Sequence, residues 1–216
     1  MTGYDFPVAW STRSVTVRGA TITAQAAGER SADPAVLLLG GSGRASHWWP
    51  DAFCAELVDA GVRVVRFDAH DAGEPTIPSA GGSGFSAADP AGDALAVADA
   101  FGAAHVVVLG ASSGGVVAQH LAAQHPDRIV GLVLMSTTAA DDVDRSALAS
   151  RPSVVVHGTA DSTFPLADGE ALAEAIDAPM IVLTHVGHEP PPPRTWPSLV
   201  PAILGVVRDA RDGEGL

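Results

Sequence analysis

The segment Gly110-Ala111-Ser112-Ser113-Gly114-Gly115 carries the clearest chemical signal in this 216-residue chain. It has the form Gly-x-Ser-x-Gly with Ser112 at its centre. The apolar run Val106-Val107-Val108-Leu109 leads in, and the helix-like stretch Val116-Val117-Ala118-Gln119-His120-Leu121 leads out. A sharp turn from strand to helix forces its central serine into strained backbone and exposes the hydroxyl. Gly110 and Gly114 are required because side chains there would clash where strand and helix converge. With a base and an orienting acid, a serine so presented can attack a carbonyl at neutral pH. Two other readings compete. One is a loop that merely connects strand to helix. The other is a phosphate cradle, but no Gly-Lys-Ser/Thr follows, and the glycines do not match a dinucleotide fingerprint with a ribose-binding acid after it.

On these residues the chain resembles the α/β-hydrolase superfamily, over essentially its whole length. Within it, Phe67-Asp68-Ala69-His70-Asp71-Ala72-Gly73 and Val108-Leu109-Gly110-Ala111-Ser112-Ser113-Gly114-Gly115 resemble small esterases and methylesterases of bacterial secondary metabolism. The resemblance implies that nucleophile, acid and base follow in the order Ser, acid, His. Val154-Val155-Val156-His157-Gly158-Thr159-Ala160-Asp161 resembles the family's His-Gly-x-x-Asp turn, which makes Asp161 the expected acid and His157 a structural residue closing the turn. Gly187-His188, in the loop after the last strand, matches the family's Gly-His and makes His188 the expected base. Competitors exist for both. Asp141, Asp142 and Asp144 follow the preceding strand, where some relatives place the acid, and His185 lies three residues before His188. The oxyanion hole implied by the family needs two backbone N–H groups. One belongs to Ser113. The other lies within Gly40-Gly41-Ser42-Gly43, with Ser42 the first candidate and Gly41 the second; the family's histidine is replaced here by Gly40.

The remaining histidines, His47, His70, His105, His120 and His125, have no context that demands catalysis and read as surface or packing residues, His47 and His70 being candidates for the vicinity of the site. His185-x-x-His188-Glu189 has a metal-like composition but sits in a loop without a helical i, i+4 pair, and no Cys or His cluster supports it. No metal and no cofactor are expected. The single cysteine, Cys54, rules out an intrachain disulfide and falls on the apolar face of a helix, as a buried structural thiol does.

The net charge is −13, from 12 basic and 25 acidic residues. That balance argues against nucleic acid, whose phosphates need clustered Lys and Arg, and against an anionic membrane surface. The expected partner is a small-molecule ester or acyl substrate; the oligomeric state is left open. Met1-Thr2-Gly3-Tyr4-Asp5 shows no basic segment followed by an apolar run, so no signal peptide is visible. No apolar stretch approaches the roughly 18 residues of a membrane span. The expected location is cytoplasmic.

These side chains need elements to position them. Ser14 to Arg18 and Ala20 to Ala26 alternate around Gly19 and read as an antiparallel hairpin. After Ala35-Val36-Leu37-Leu38-Leu39 the pattern changes to continuous apolar strands, namely Val62 to Phe67, His105 to Leu109, Ile129 to Met135, Ser153 to Val156 and Met180 to Leu183. Helix-like segments alternate with them at Trp49 to Ala60, Ala88 to Phe101, Gly115 to Gln124, Leu166 to Ile176 and Pro197 to Val207. The expectation is one α/β domain over residues 1–216, of α/β-hydrolase fold: a mostly parallel, doubly wound sheet with an N-terminal antiparallel hairpin. Pro75 to Gly84 reads as a surface loop and Pro190-Pro191-Pro192-Pro193 as a stiff turn.

Many relatives insert a helical cap before the acid. Ser112 and Asp161 are only 49 residues apart, which leaves about Thr137 to Arg151 for any insertion and predicts no or a minimal cap. Roofing falls to His47-Trp48-Trp49 and Pro75 to Phe85. Trp48 or Trp49 would line the substrate pocket, or else one packs the start of its helix. The function these readings converge on is a serine hydrolase cleaving a carboxylic ester or thioester through an acyl-enzyme. Thioesterase or acyltransferase chemistry, cofactor-free perhydrolysis, and a non-catalytic binding protein on the same fold are the alternatives.

Overall fold

The computed structural model describes residues 8–17, 19–41, 44–68 and 88–213. In chain order these form β1 (Ser11–Val17), β2 (Ala20–Ala27), β3 (Ala35–Leu39), α1 (Ala45–Trp48), α2 (Asp51–Asp59), β4 (Val64–Phe67), α3 (Ala88–Ala100), β5 (Val106–Ala111), α4 (Ser113–Gln124), β6 (Ile129–Met135), α5 (Ser146–Ala149), β7 (Ser153–Gly158), α6 (Leu166–Ala175), β8 (Met180–Leu183) and α7 (Trp196–Gly213). Ser42, Gly43, His70 and the Pro75 to Phe85 segment lie outside the described residues.

The strands form one sheet in the order β1-β2-β4-β3-β5-β6-β7-β8. β1 pairs antiparallel with β2, and β2 antiparallel with β4. From β4 to β8 every pairing is parallel. Continuous apolar runs make this possible, because a strand covered on both faces has no polar side to present. Alternate residues then serve opposite faces. Leu37, Leu39, Val106 and Val108 pack under α3, α4 and α6, while Val36, Leu38, Val107 and Leu109 pack under α2 and α7. The α7 stripe Leu199, Ile203, Val206, Val207 and Ala210 follows helical spacing.

Topology decides where a site can lie. The chain leaves β3 toward β4 on one side and returns to β5 on the other. A crevice opens at the carboxyl ends of two strands where the winding reverses in this way. Gly40-Gly41 follows β3 and Ser112 follows β5, so both border that crevice.

Some boundaries differ from the sequence pattern. The helix read from Trp49 to Ala60 begins only at Asp51, because Pro50 takes an extended ψ of 154°, which also separates it from the short α1 before it. The buried Arg66 of β4 secures this corner, donating to the Trp49 carbonyl at 2.9 Å and pairing with Asp51 at 2.6 Å. The last helix runs beyond Val207 to Gly213 because Ala210 continues its buried stripe. The fourth proline of the Pro190 to Pro193 run opens a 3-10 turn, Pro193–Thr195, leading into α7. Cys54 is buried in α2, and burial pushes its thiol up to about 12, so it is unreactive at neutral pH.

Candidate active site

Ser112 is the hinge between β5 and α4, with φ 55° and ψ −128°. A non-glycine residue in this region carries about 1–3 kcal/mol of strain and persists only when its surroundings hold it. Close packing supplies the hold. A Cβ on Gly110 would come within 2.6 Å of the Gly114 carbonyl oxygen, and one on Gly114 within 2.8 Å of the Leu39 carbonyl oxygen. Strand, helix and β3 therefore converge on the turn with no room for side chains. Ser112 remains 8% exposed.

The loops after β7 and β8 are clasped together. Gly158 closes β7, and a Cβ there would lie 2.1 Å from the Val186 carbonyl oxygen. The Ala160 N–H donates to that same oxygen at 2.9 Å, and the His185 N–H donates to the Thr159 hydroxyl oxygen at 2.9 Å. This contact carries Asp161 to His188. One carboxylate oxygen of Asp161 accepts the N–H groups of Thr163 and Phe164, each at 2.9 Å. The other accepts from His188 Nδ1 at 2.9 Å. His188 Nε2 lies 2.9 Å from Ser112 Oγ. An ionised carboxylate only accepts, so the proton of His188 sits on Nδ1 and Nε2 is left to accept from the serine hydroxyl. Burial pushes the Asp161 pKa up, but the hydrogen bonds from His188, Phe164 and Thr163 and the electrostatic attraction of the His188 ring outweigh it and hold the carboxyl below its ordinary 3.8.

His157, fully buried, braces this turn from beneath. Its Nε2–H donates to the Phe164 carbonyl at 2.8 Å, and the same nitrogen lies 3.8 Å from the Asp161 carboxylate.

Two aromatic rings flank the imidazole. Trp48 meets it edge to face at 5.2 Å between centroids, and Phe164 lies tilted at 5.5 Å. The His188 side chain keeps 19% of its surface exposed between them. The two tryptophans thus part company. Trp48 faces His188 and Gly41, a Cβ on Gly41 falling 2.7 Å from its Nε1. Trp49 is wholly buried, packs against Phe53 and donates its N–H to the Leu39 carbonyl at 3.1 Å. Phe164 carries no pattern in the sequence that marks it.

Gly41 abuts the serine, a Cβ there falling 3.0 Å from Ser112 Oγ. Ser113 is the first residue of α4, at the positive end of the helix dipole. Ser42 lies outside the described residues. The other acids are elsewhere: Asp141 and Asp142 are exposed, and Asp144 accepts the N–H and hydroxyl of Ser146 at 3.0 and 2.8 Å at the start of α5. His185 is exposed, with φ 56°. His47 is exposed as well, and His105 pairs with Asp33 at 3.0 Å. Among the described residues, no cluster of three or more His, Cys, Asp or Glu could hold a metal ion, and no helix is long and apolar enough to cross a membrane.

Known proteins share this architecture. The chain is 34% identical over 147 residues to rhodomycin D methylesterase DnrP of Streptomyces peucetius, covering 66% of this chain and 49% of that protein. It thus spans about half the length of the curated relatives it matches. Among solved structures, a hydrolase from Pseudomonas aeruginosa PA01 superposes with a TM-score of 0.73 at 22% identity, over 92% of this chain and 98% of that one. The esterase RhEst1 from Rhodococcus sp. ECU1013 does so at 0.70 and 21%, over 92% and 99%. At these identities the likeness is one of fold. A sequence model of the alpha/beta hydrolase fold matches residues 34–154, a span that runs from the start of β3 through the Ser112 turn into β7, and the chain belongs to that family.

Proposed function

We propose that this chain is a serine hydrolase acting on carboxylic esters through an acyl-enzyme. The observation that carries the reading is the unbroken relay from Ser112 Oγ through His188 to Asp161, with 2.9 Å at both contacts. In this reading His188 Nε2 takes the hydroxyl proton as Ser112 Oγ bonds to the substrate carbonyl carbon. Asp161 fixes the imidazole tautomer and stabilises the imidazolium. The oxyanion is held by the Ser113 N–H together with an N–H from Gly41 or Ser42. As the tetrahedral intermediate collapses, the C–O bond to the alcohol breaks and His188 returns the proton to the leaving oxygen. Water, deprotonated by His188, then repeats the sequence on the acyl-enzyme, releasing the acid and restoring Ser112. No step calls for a cofactor.

The kinship with a protein named as a methylesterase supports an ester of a small alcohol as substrate. The connection from β6 to β7 supports an open, lidless site, because residues 136–152 contain only the four-residue α5. An open site accommodates a small ester at the edge of a larger molecule. Hydrolysis of short p-nitrophenyl esters, and of methyl against longer alkyl esters of one aromatic acid, tests the reading. Ser112→Ala is expected to lose a factor on the order of 10³ or more in kcat. Wild-type protein that neither turns over these esters nor reacts with a fluorophosphonate would sink it.

A further inference from the structure

Ser112 is strained, and the end of β6 grips both of its peptide groups. Its N–H donates to the Met135 carbonyl at 3.0 Å. Its own carbonyl accepts the Gly115 N–H at 2.9 Å and the Thr137 hydroxyl at 2.7 Å. Between Met135 and Thr137, Ser136 takes φ 47°, which swings the chain back so that Thr137 faces the turn. Thr137 is wholly buried, and its side chain lies flat against Gly115, where a Cβ would come within 2.6 Å of Thr137 Cγ2.

The carbonyl that Thr137 holds belongs to the same planar unit as the Ser113 N–H. In a trans peptide the two groups point in opposite directions, so fixing one fixes the other. Pulling the Ser112 oxygen toward β6 aims the Ser113 N–H away from β6. A hydrogen bond to the oxygen also polarises the amide and strengthens its N–H as a donor. Both lone pairs of that oxygen are then used, one by Gly115 and one by Thr137.

We propose that Thr137 is a positioning residue: its hydroxyl sets the plane of the Ser112–Ser113 peptide, and through it the direction of the oxyanion donor and the strained conformation of the nucleophile. This rests on the serine-hydrolase reading above. Thr137 touches no substrate and acts through the backbone of its neighbour.

The test separates the hydroxyl from the volume. Thr137→Val keeps the shape and removes the hydroxyl; Thr137→Ser keeps the hydroxyl and removes the methyl; Thr137→Ala removes both. Each is assayed for kcat, KM, the pH profile of kcat/KM and the rate of fluorophosphonate labelling, beside wild type and Ser112→Ala. Loss of a buried hydrogen bond of this kind lowers kcat and labelling rate roughly ten-fold. The expected result is that loss in Val and Ala, with KM and the pH midpoints unchanged, and near wild-type rates in Ser. The Ser and Ala pair carries the test alone if Val does not fold. A Val or Ala variant as fast as wild type, or a Ser variant as slow as Ala, overturns the role of Thr137 while labelled wild type and inactive Ser112→Ala leave the nucleophile standing. Unlabelled wild type, or an active Ser112→Ala, overturns both.

Discussion

The turn after β6 and the turn after β7 begin alike and end differently. Both follow neighbouring parallel strands at their carboxyl ends, and both carry an aspartate with one oxygen that accepts two local hydrogen bonds. Asp144 spends its contacts within two residues, on Ser146. Asp161 accepts two backbone N–H groups with one oxygen and reaches 27 residues along the chain with the other, to His188. The neighbour makes the difference. β7 has β8 beside it, and the loop after β8 folds back onto Gly158 and Ala160. The turn after β6 sits between β5 and β7, and its Thr137 is occupied with the backbone of Ser112. A local turn thus holds each aspartate, while only Asp161 has a second loop brought against it.

Substitutions can break this contrast, and the largest effect is expected at Asp161. Asp161→Asn keeps the shape but lets the imidazole adopt the wrong tautomer, so kcat should fall roughly 10³- to 10⁴-fold; a loss below ten-fold would return the acid role to the turn after β6. Stability gives an independent check. The Asp161 carboxyl is held below 3.8 in the folded protein, so its stabilisation is complete above that value and is lost as pH falls through the folded value. The difference in urea midpoint between wild type and Asp161→Asn should be flat above about pH 5 and shrink in more acid solution.

Gly158→Ala should come next. Its methyl meets the Val186 carbonyl two residues before His188, and overpacking of this kind destabilises by about 1–3 kcal/mol. Here it should also lower kcat, because the loop that must yield is the one carrying His188. Lower thermal stability with unchanged kcat would show that the clasp does not set the relay. The smallest effect belongs to Asp144→Ala, which removes a local cap at an exposed helix start. It should leave the urea midpoint close to that of wild type and kcat within two-fold. An Asp144→Ala variant as damaged as Asp161→Asn would erase the distinction between the turns.

Much of this molecule is legible along the chain. The hairpin, the parallel strands and the Ser112 turn follow from patterns within ten residues of each other, because apolar periodicity and glycine placement are local properties. Resemblance to a known family singles out Asp161 and His188, and the fold brings both to Ser112. The two tryptophans could not be told apart in this way. Adjacent helical residues point about 100° apart, so which of Trp48 and Trp49 faces the crevice depends on how α1 docks and on the break at Pro50. Phe164 against His188 and Thr137 against Ser112 are single, unpatterned residues whose partners lie 24 and 25 positions away, and nothing in their neighbourhoods announces the contact.

The sequence by itself determined the alternation of strands and helices and the strained serine between β5 and α4, since both arise from interactions of residues close along the chain. Only the tertiary structure decided which tryptophan is buried, which ring backs His188 and which hydroxyl holds the Ser112 peptide. Those contacts depend on the separation and facing of neighbouring strands and helices, and that geometry exists only once the sheet has been assembled and both of its faces covered.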